Sequence, residues 1–262
     1  MNERASVWLD ASLRHRMWFA EVDEHDTASL PFALCRRGDR VVARYLSCGW
    51  IGEREVRAFD LDVLVRRDQR SSPNLLEDVS SAVGRNVDET QVPGLVLRER
   101  WECVLVRADA ECYRLAVSPE GVLSTLADAA PVPDQDLELE AFNRAFEVRA
   151  NDRRFANDFL DAGMAWFLLE HATGCVLETV GNRILIARPA DDLPDLDALL
   201  ALAFGVVDRV PNAVKVLHPA LPAGELTPRC PIGADGRARQ IAAPDTRRAP
   251  FDPWPDVPSG WA

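Results

Sequence analysis

The sequence predicts an α+β protein with an antiparallel, β-rich N-terminal half over residues 1–130. An α+β region with a hairpin between helices follows over 137–218, and a proline-rich tail closes the chain over 219–262. Three observations carry that expectation. Between residues 40 and 127 apolar and polar side chains alternate in short runs, the period of half-buried strands. After Asp136 the apolar spacing becomes helical, over Asp152 to His171 and again over Leu196 to Val207. Nine of the 18 prolines fall between Pro219 and Ala262, where a missing backbone N–H at each breaks ladders and helix interiors alike.

Each element has its own signal. Val41, Ala43 and Tyr45 alternate with Val42, Arg44 and Leu46, Gly49 to Gly52 supplies a turn, and Glu55 to Arg66 returns as the second strand of a hairpin. In that second strand Val56, Ala58, Asp60 and Asp62 share one face, whereas Arg57, Phe59, Leu61, Val63 and Val65 share the other, which is expected to point inward. Ser71 to Gly94 reads as a long polar excursion with one helical turn around Leu75 to Val83. Trp101, Cys103 and Leu105 then alternate with Glu102, Val104 and Val106, a further apolar run follows at Tyr113 to Val117, and Pro119 and Gly121 mark a turn.

After a polar linker at Pro131 to Asp136, Phe155, Phe159, Trp166 and Leu169 fall near one helical stripe. Gly163 is expected to break that helix into two pieces, with Asp161 capping the second and Gly174 ending it. Cys175 to Val180 and Ile184 to Ala187, parted by Gly181 and Asn182, read as a hairpin with a primed turn. Leu196, Leu199, Leu200, Ala203 and Val207 define a last helix that Pro211 stops. The regions before the tail form either one domain or two.

Composition excludes several classes of function. The chain has 262 residues, 47% of them hydrophobic, which is enough for a core. Its net charge of -12 repels phosphate backbones and anionic lipid, so no nucleic acid is expected. The tail's five acids and five arginines cancel, which leaves the whole deficit on residues 1–218. The longest apolar stretch, Ala198 to Val207, is about half of what a bilayer crossing needs. With no secretion signal at the N-terminus, a cytoplasmic protein without direct membrane insertion is expected. The six cysteines, none within three residues of another, read as reduced thiols.

Ala141-Phe142-Asn143-Arg144-Ala145-Phe146-Glu147-Val148 runs into Arg153 to Leu160, Met164 to Leu169 and the Cys175 to Ala187 segment. This order resembles the core of an uncharacterised bacterial domain-of-unknown-function family. Gly49 and Trp50 followed by Arg57, Ala58, Phe59 and Asp60 look similar too, as does Tyr113 to Gly121, so the resemblance covers roughly residues 12 to 218. It implies an architecture and no activity. Longer relatives in that family carry hydrophobic segments ahead of the domain, and this sequence is expected to depart by having none.

Few residues carry candidate chemistry. Asp60 and Asp62, two apart on one strand face, could share a cation or divide acid and base roles. The bland alternative is a solvated face that discourages edge pairing. Glu21, Asp23, Glu24, His25 and Asp26 could add metal ligands only if the fold brings them alongside, and they lack the glycine and terminal glutamate of a calcium loop. His171, just before Gly174, is placed to cap a helix C-terminus. Cys48 beside the glycine turn reads as a small buried hydrophobe. No nucleophile elbow, phosphate loop or zinc-protease spacing occurs, so no cofactor and no metal are expected.

Of seven tryptophans, the five at Trp8, Trp18, Trp50, Trp101 and Trp166 read as core or core rim. Phe251, Trp254 and Trp261 decorate the proline-rich tail at no helix or strand spacing; they either fold back over the body or serve as a short peptide ligand for a protein partner. The expected function is therefore a non-catalytic interaction module. The alternative is a metal-dependent or acid/base enzyme using Asp60 and Asp62.

Overall fold

The computed structural model describes residues 3–20, 25–26, 30–36, 40–66, 95–119, 122, 140–190 and 193–220. In chain order these form α1 (Glu3–Arg14), β1 (Trp18–Ala20), β2 (His25–Asp26), a 3-10 turn (Leu34–Arg36), β3 (Arg40–Ile51), β4 (Arg54–Arg66) and β5 (Leu95–Pro119). Next come α2 (Glu140–Ala145), β6 (Phe146–Ala150), α3 (Arg153–Phe159), α4 (Ala162–His171), β7 (Val176–Pro189), α5 (Leu196–Arg209) and α6 (Asn212–Leu217). The expected Ser71–Gly94 excursion, the 131–136 linker and the tail beyond Ala220 lie outside the described residues.

The fold is α+β, with one seven-stranded sheet in which each of the pairings is antiparallel. The β3–β4 hairpin forms as its alternation predicts, but its turn is at Gly52 and Glu53 rather than over Gly49 to Gly52: Gly49 and Trp50 pair with Val56 and Glu55, and Gly52 takes the positive φ of +63°. β5, 25 residues long, organises the rest. One of its edges takes β4 at Val56↔Val106 through Leu61↔Trp101 and, farther along, β6 at Leu115↔Ala150. Its other edge takes β7 from Trp101↔Pro189 to Val117↔Leu177. Strands from both sides of residue 130 therefore share one sheet.

The hairpin expected at Gly181-Asn182 is absent. Residues Val176–Pro189 are one continuous strand, and Gly181, at φ +59°, stands opposite Cys112 where the register shifts. A glycine in the left-handed region serves a bulge as well as a turn. Because β5 supplies partners on both sides of the irregularity, the chain stays extended.

The Asp152–His171 stretch does divide in two, at Leu160 and Asp161 rather than at Gly163, which lies in the first turn of α4. Asp152, Asp161 and Asp195 cap α3, α4 and α5, accepting from Phe155, Met164 and Ala198 backbone N–H groups at 2.8, 2.8 and 3.0 Å. The last expected helix runs from Leu196 to Arg209. None of α1, α2 and α6 was expected from periodicity.

Both faces of the sheet are buried. On one, Val56, Ala58, Val104, Val106, Ile184 and Ile186 meet α1 and the apolar sides of α3, α4 and α5. On the other, Phe59, Leu61, Val63, Trp101, Leu105 and Leu185 pack with Leu30, Phe32 and Leu34. The face holding Asp60 and Asp62, expected to be solvated, is thus covered: each residue is 1% exposed.

Between α4 and α5 the approach depends on Gly205. A Cβ there would stand 2.4 Å from Phe167 Cζ. Although alanine is the better helix former by about 1 kcal/mol, overpacking costs about 1–3 kcal/mol. Gly205→Ala is therefore expected to lower the unfolding free energy by about 1 kcal/mol in urea denaturation. A stabilised variant would show that Phe167 moves aside freely.

Candidate functional site

Cross-strand register builds a row of charge on the helix-covered face. Arg44 on β3 stands opposite Asp60 on β4, Asp60 opposite Glu102 on β5, and Glu102 opposite Arg188 on β7. Directly opposed side chains lie close enough to interact. One position on, Asp62 stands opposite Arg100. At this level the face changes from apolar to charged, because Ala58, Val104 and Ile186 form the preceding row.

α1 lays Arg4 over the row. Arg4 Nε donates to Asp60 Oδ2 at 2.5 Å, and Nη2 donates to Asp60 Oδ1 at 2.8 Å and to Glu102 Oε1 at 2.9 Å. Arg188 Nε and Nη2 donate to Glu102 Oε2 at 2.8 and 2.7 Å. Asp62 accepts from Arg100 Nε at 3.1 Å and is ion-paired with Arg44 Nε at 2.9 Å. α1 is further fixed to β3 by the Ser12 and Ser47 hydroxyls, 2.5 Å apart.

Burial pushes the Asp60 and Glu102 carboxyls above the ordinary carboxylate range, against the pull of Arg4 on both and of Arg188 on Glu102. Arg4 itself is held above its ordinary value by those two carboxylates, although burial opposes them. A guanidinium keeps its proton in proteins, so the assembly is a buried ionic lattice. Both oxygens of Asp60 are engaged by a bidentate fork. Neither is presented to a metal or to a reacting proton.

Asp60 and Asp62 are thus brought together as the strand alternation requires, but into ion pairs. His171 is elsewhere, as the last residue of α4, with its ring 4.8 Å from Phe167 and Nε2 3.6 Å from Glu170. His25 and Asp26 lie in β2, paired with β3, whereas Glu21, Asp23 and Glu24 fall outside the described residues. Cys48 is buried. Among the described residues no group of three or more His, Cys, Asp or Glu side chains is placed to hold a metal ion, and no helix is long and apolar enough to cross a membrane.

A further buried acid, Glu178, was missed by sequence reasoning. Glu178 on β7, 2% exposed, accepts from the backbone N–H groups of Ala33 and Leu34 at 2.6 and 2.8 Å and so holds the 30–36 segment over the second face. Burial pushes its carboxyl up; the two N–H groups and the charges of Arg114 and Arg36 oppose that rise. Glu102 was legible as a polar position in an alternating strand. Arg4 and Glu178 had no local signal, since their partners lie 56 and 144 to 145 residues away in sequence.

The root of the tail is fixed. His218 packs edge-on against Tyr113 and Phe155, its carbonyl accepts from Glu111 N–H at 2.8 Å, and Pro219 bridges Ala110. Val216 and Leu217, just before it, are exposed. Phe251, Trp254 and Trp261 lie outside the described residues. Of the body's tryptophans, Trp8, Trp18 and Trp101 are buried as expected and Trp50 is half-buried, but Trp166 is 58% exposed and belongs to neither core nor rim.

No family model matches the chain, and no curated protein matches it. Among solved structures, the chain is similar to the crystal structure of the mycobacterial trehalose monomycolate transport factor A, TtfA. The identity is 12%, the match covers 84% of this chain and 97% of that one, and the TM-score is 0.46. A likeness at that level carries no functional argument.

Proposed function

We propose that this protein is a non-catalytic, cytoplasmic interaction module whose C-terminal tail recruits a protein partner. One observation carries the reading: the carboxylates best placed for chemistry, Asp60 and Asp62, are buried and each is held by guanidinium groups. A group so paired serves stability and orientation, because a reacting acid or base needs access to substrate. The acidic body supports a protein partner over nucleic acid or anionic lipid. Phe251, Trp254 and Trp261 supply the aromatic anchors that such contacts use.

The anchored root dictates the test. Pro219 bridges Ala110, so the cut belongs after Ala220. The truncated protein is expected to melt within about 2 °C of the full chain, since α1 to α6, the sheet and the Pro219 bridge all lie before the cut, and to recover no partner by affinity purification. The triple substitution Phe251→Ala, Trp254→Ala and Trp261→Ala should do the same. Unchanged partner recovery by either variant would remove the tail from the function.

A further inference from the structure

We infer that the outer face of α4 docks a cationic segment of a partner protein. This surface is distinct from the tail and goes beyond the reading above. α4 has the sequence AGMAWFLLEH, which is apolar on nearly every side. Its inner side is occupied: Met164, Ala165 and Leu168 are buried in the core. Phe167 is turned toward α5, where Gly205 makes room for its ring and Arg209 stacks over it at 4.0 Å.

Among the described residues, none covers the outer side. Ala162, Gly163, Trp166 and Glu170 are all exposed and fall at helical spacings of three and four, so they form one stripe. The indole of Trp166 rises from a floor of two small residues. A large aromatic left in water beside a flat, small-residue surface is the residue type that most often anchors protein contacts.

Charge selects the partner. Glu170 follows Trp166 by one turn, with its side chain 76% exposed and His171 Nε2 3.6 Å away as its close neighbour. Asp161, also exposed, opens the same helix; one of its oxygens caps Met164 N–H. α4 itself contains no lysine or arginine, and the nearby Arg209 is engaged with the Phe167 ring and the Gly205 carbonyl. A lysine or arginine laid over the Trp166 indole gains the cation–π attraction and reaches Glu170 on the next turn. An acidic partner would meet repulsion from both Glu170 and the -12 chain.

The probe is a fluorescein-labelled 14-residue peptide of leucine and lysine, titrated with the full-length protein and followed by anisotropy at low and physiological salt. The expected result is saturable binding that Trp166→Ala and Glu170→Gln each weaken about tenfold, with no binding of the matching leucine and glutamate peptide. Both substitutions are at exposed positions, and thermal melting verifies their folding. Equal affinity for the protein and for Trp166→Ala would overturn the proposal, because attraction to the acidic body as a whole would then explain the binding. A dimer in sedimentation velocity that Trp166→Ala dissolves would assign the face to a second copy. A tenfold gain in peptide affinity on truncation after Ala220 would assign it to the chain's own tail. Partner recovery by the truncated protein is scored separately, so failure of one surface leaves the other standing.

Discussion

Arg4→Ala is expected to cost about 3–5 kcal/mol of unfolding free energy near neutral pH, the range for removing one partner from a buried ion pair. The substitution deletes both hydrogen bonds to Asp60 and one of those to Glu102, leaving Asp60, 1% exposed, without its bidentate partner. In a chain of this size that corresponds to a fall of about 10 °C in melting temperature. Burial already holds both carboxyls above their ordinary values, and without Arg4 to oppose it they rise further. A folded value above the unfolded one gives stability that is complete below the unfolded value and is lost as pH rises through the folded one. The deficit of the variant should therefore shrink from pH 7.5 to pH 5. Adding Asp60→Asn should recover part of the loss, because it removes the uncompensated charge. A deficit below about 1 kcal/mol, or one independent of pH, would mean that Arg4 is not the clasp of α1.

Glu178→Ala is the second large effect, about 2–4 kcal/mol, since it strands two backbone N–H groups under the 30–36 segment. The loss should be local as well as global. Cys35, which is buried beside the segment's anchor, should react with a thiol reagent far faster in the variant than in the parent. Glu178→Gln keeps one acceptor and should cost less at neutral pH. Its pH profile carries the sign: the parent's carboxyl is raised by burial, so the parent gains stability relative to the glutamine variant as pH falls through that raised value toward about 4.3, the ordinary glutamate value. A Cys35 reactivity unchanged by Glu178→Ala would show that apolar packing alone seats the segment.

The buried acids mark where sequence reading stops. The shared face of Asp60 and Asp62 was legible because strand side chains alternate with a period of two. Their burial was not, because Arg4 of α1 meets Asp60 while Arg44 and Arg100 of the neighbouring strands meet Asp62, and a charged residue inside a strand looks the same in sequence whether water or a guanidinium meets it. Gly181-Asn182 fails in a similar way. A glycine–asparagine pair between apolar runs fits a hairpin and a bulge equally, and the presence of β5 along the whole of Val176–Pro189 chooses the bulge. Trp166 lies on a stripe with Phe155 and Phe159 only if one helix spans all three, and the break at Leu160 and Asp161 turns it outward.

Local chemistry was enough to set the α+β class, the β3–β4 hairpin, the Asp161 cap and the final long helix. Each depends on residues within about one or two turns of one another, so neighbouring side chains contain the whole cause. The tertiary structure alone decided which acids became structural, which strand stayed unbroken and which tryptophan was left facing solvent. Those outcomes depend on partners tens to more than a hundred residues away, whose approach is governed by packing across the whole sheet and leaves no mark in any short window of sequence.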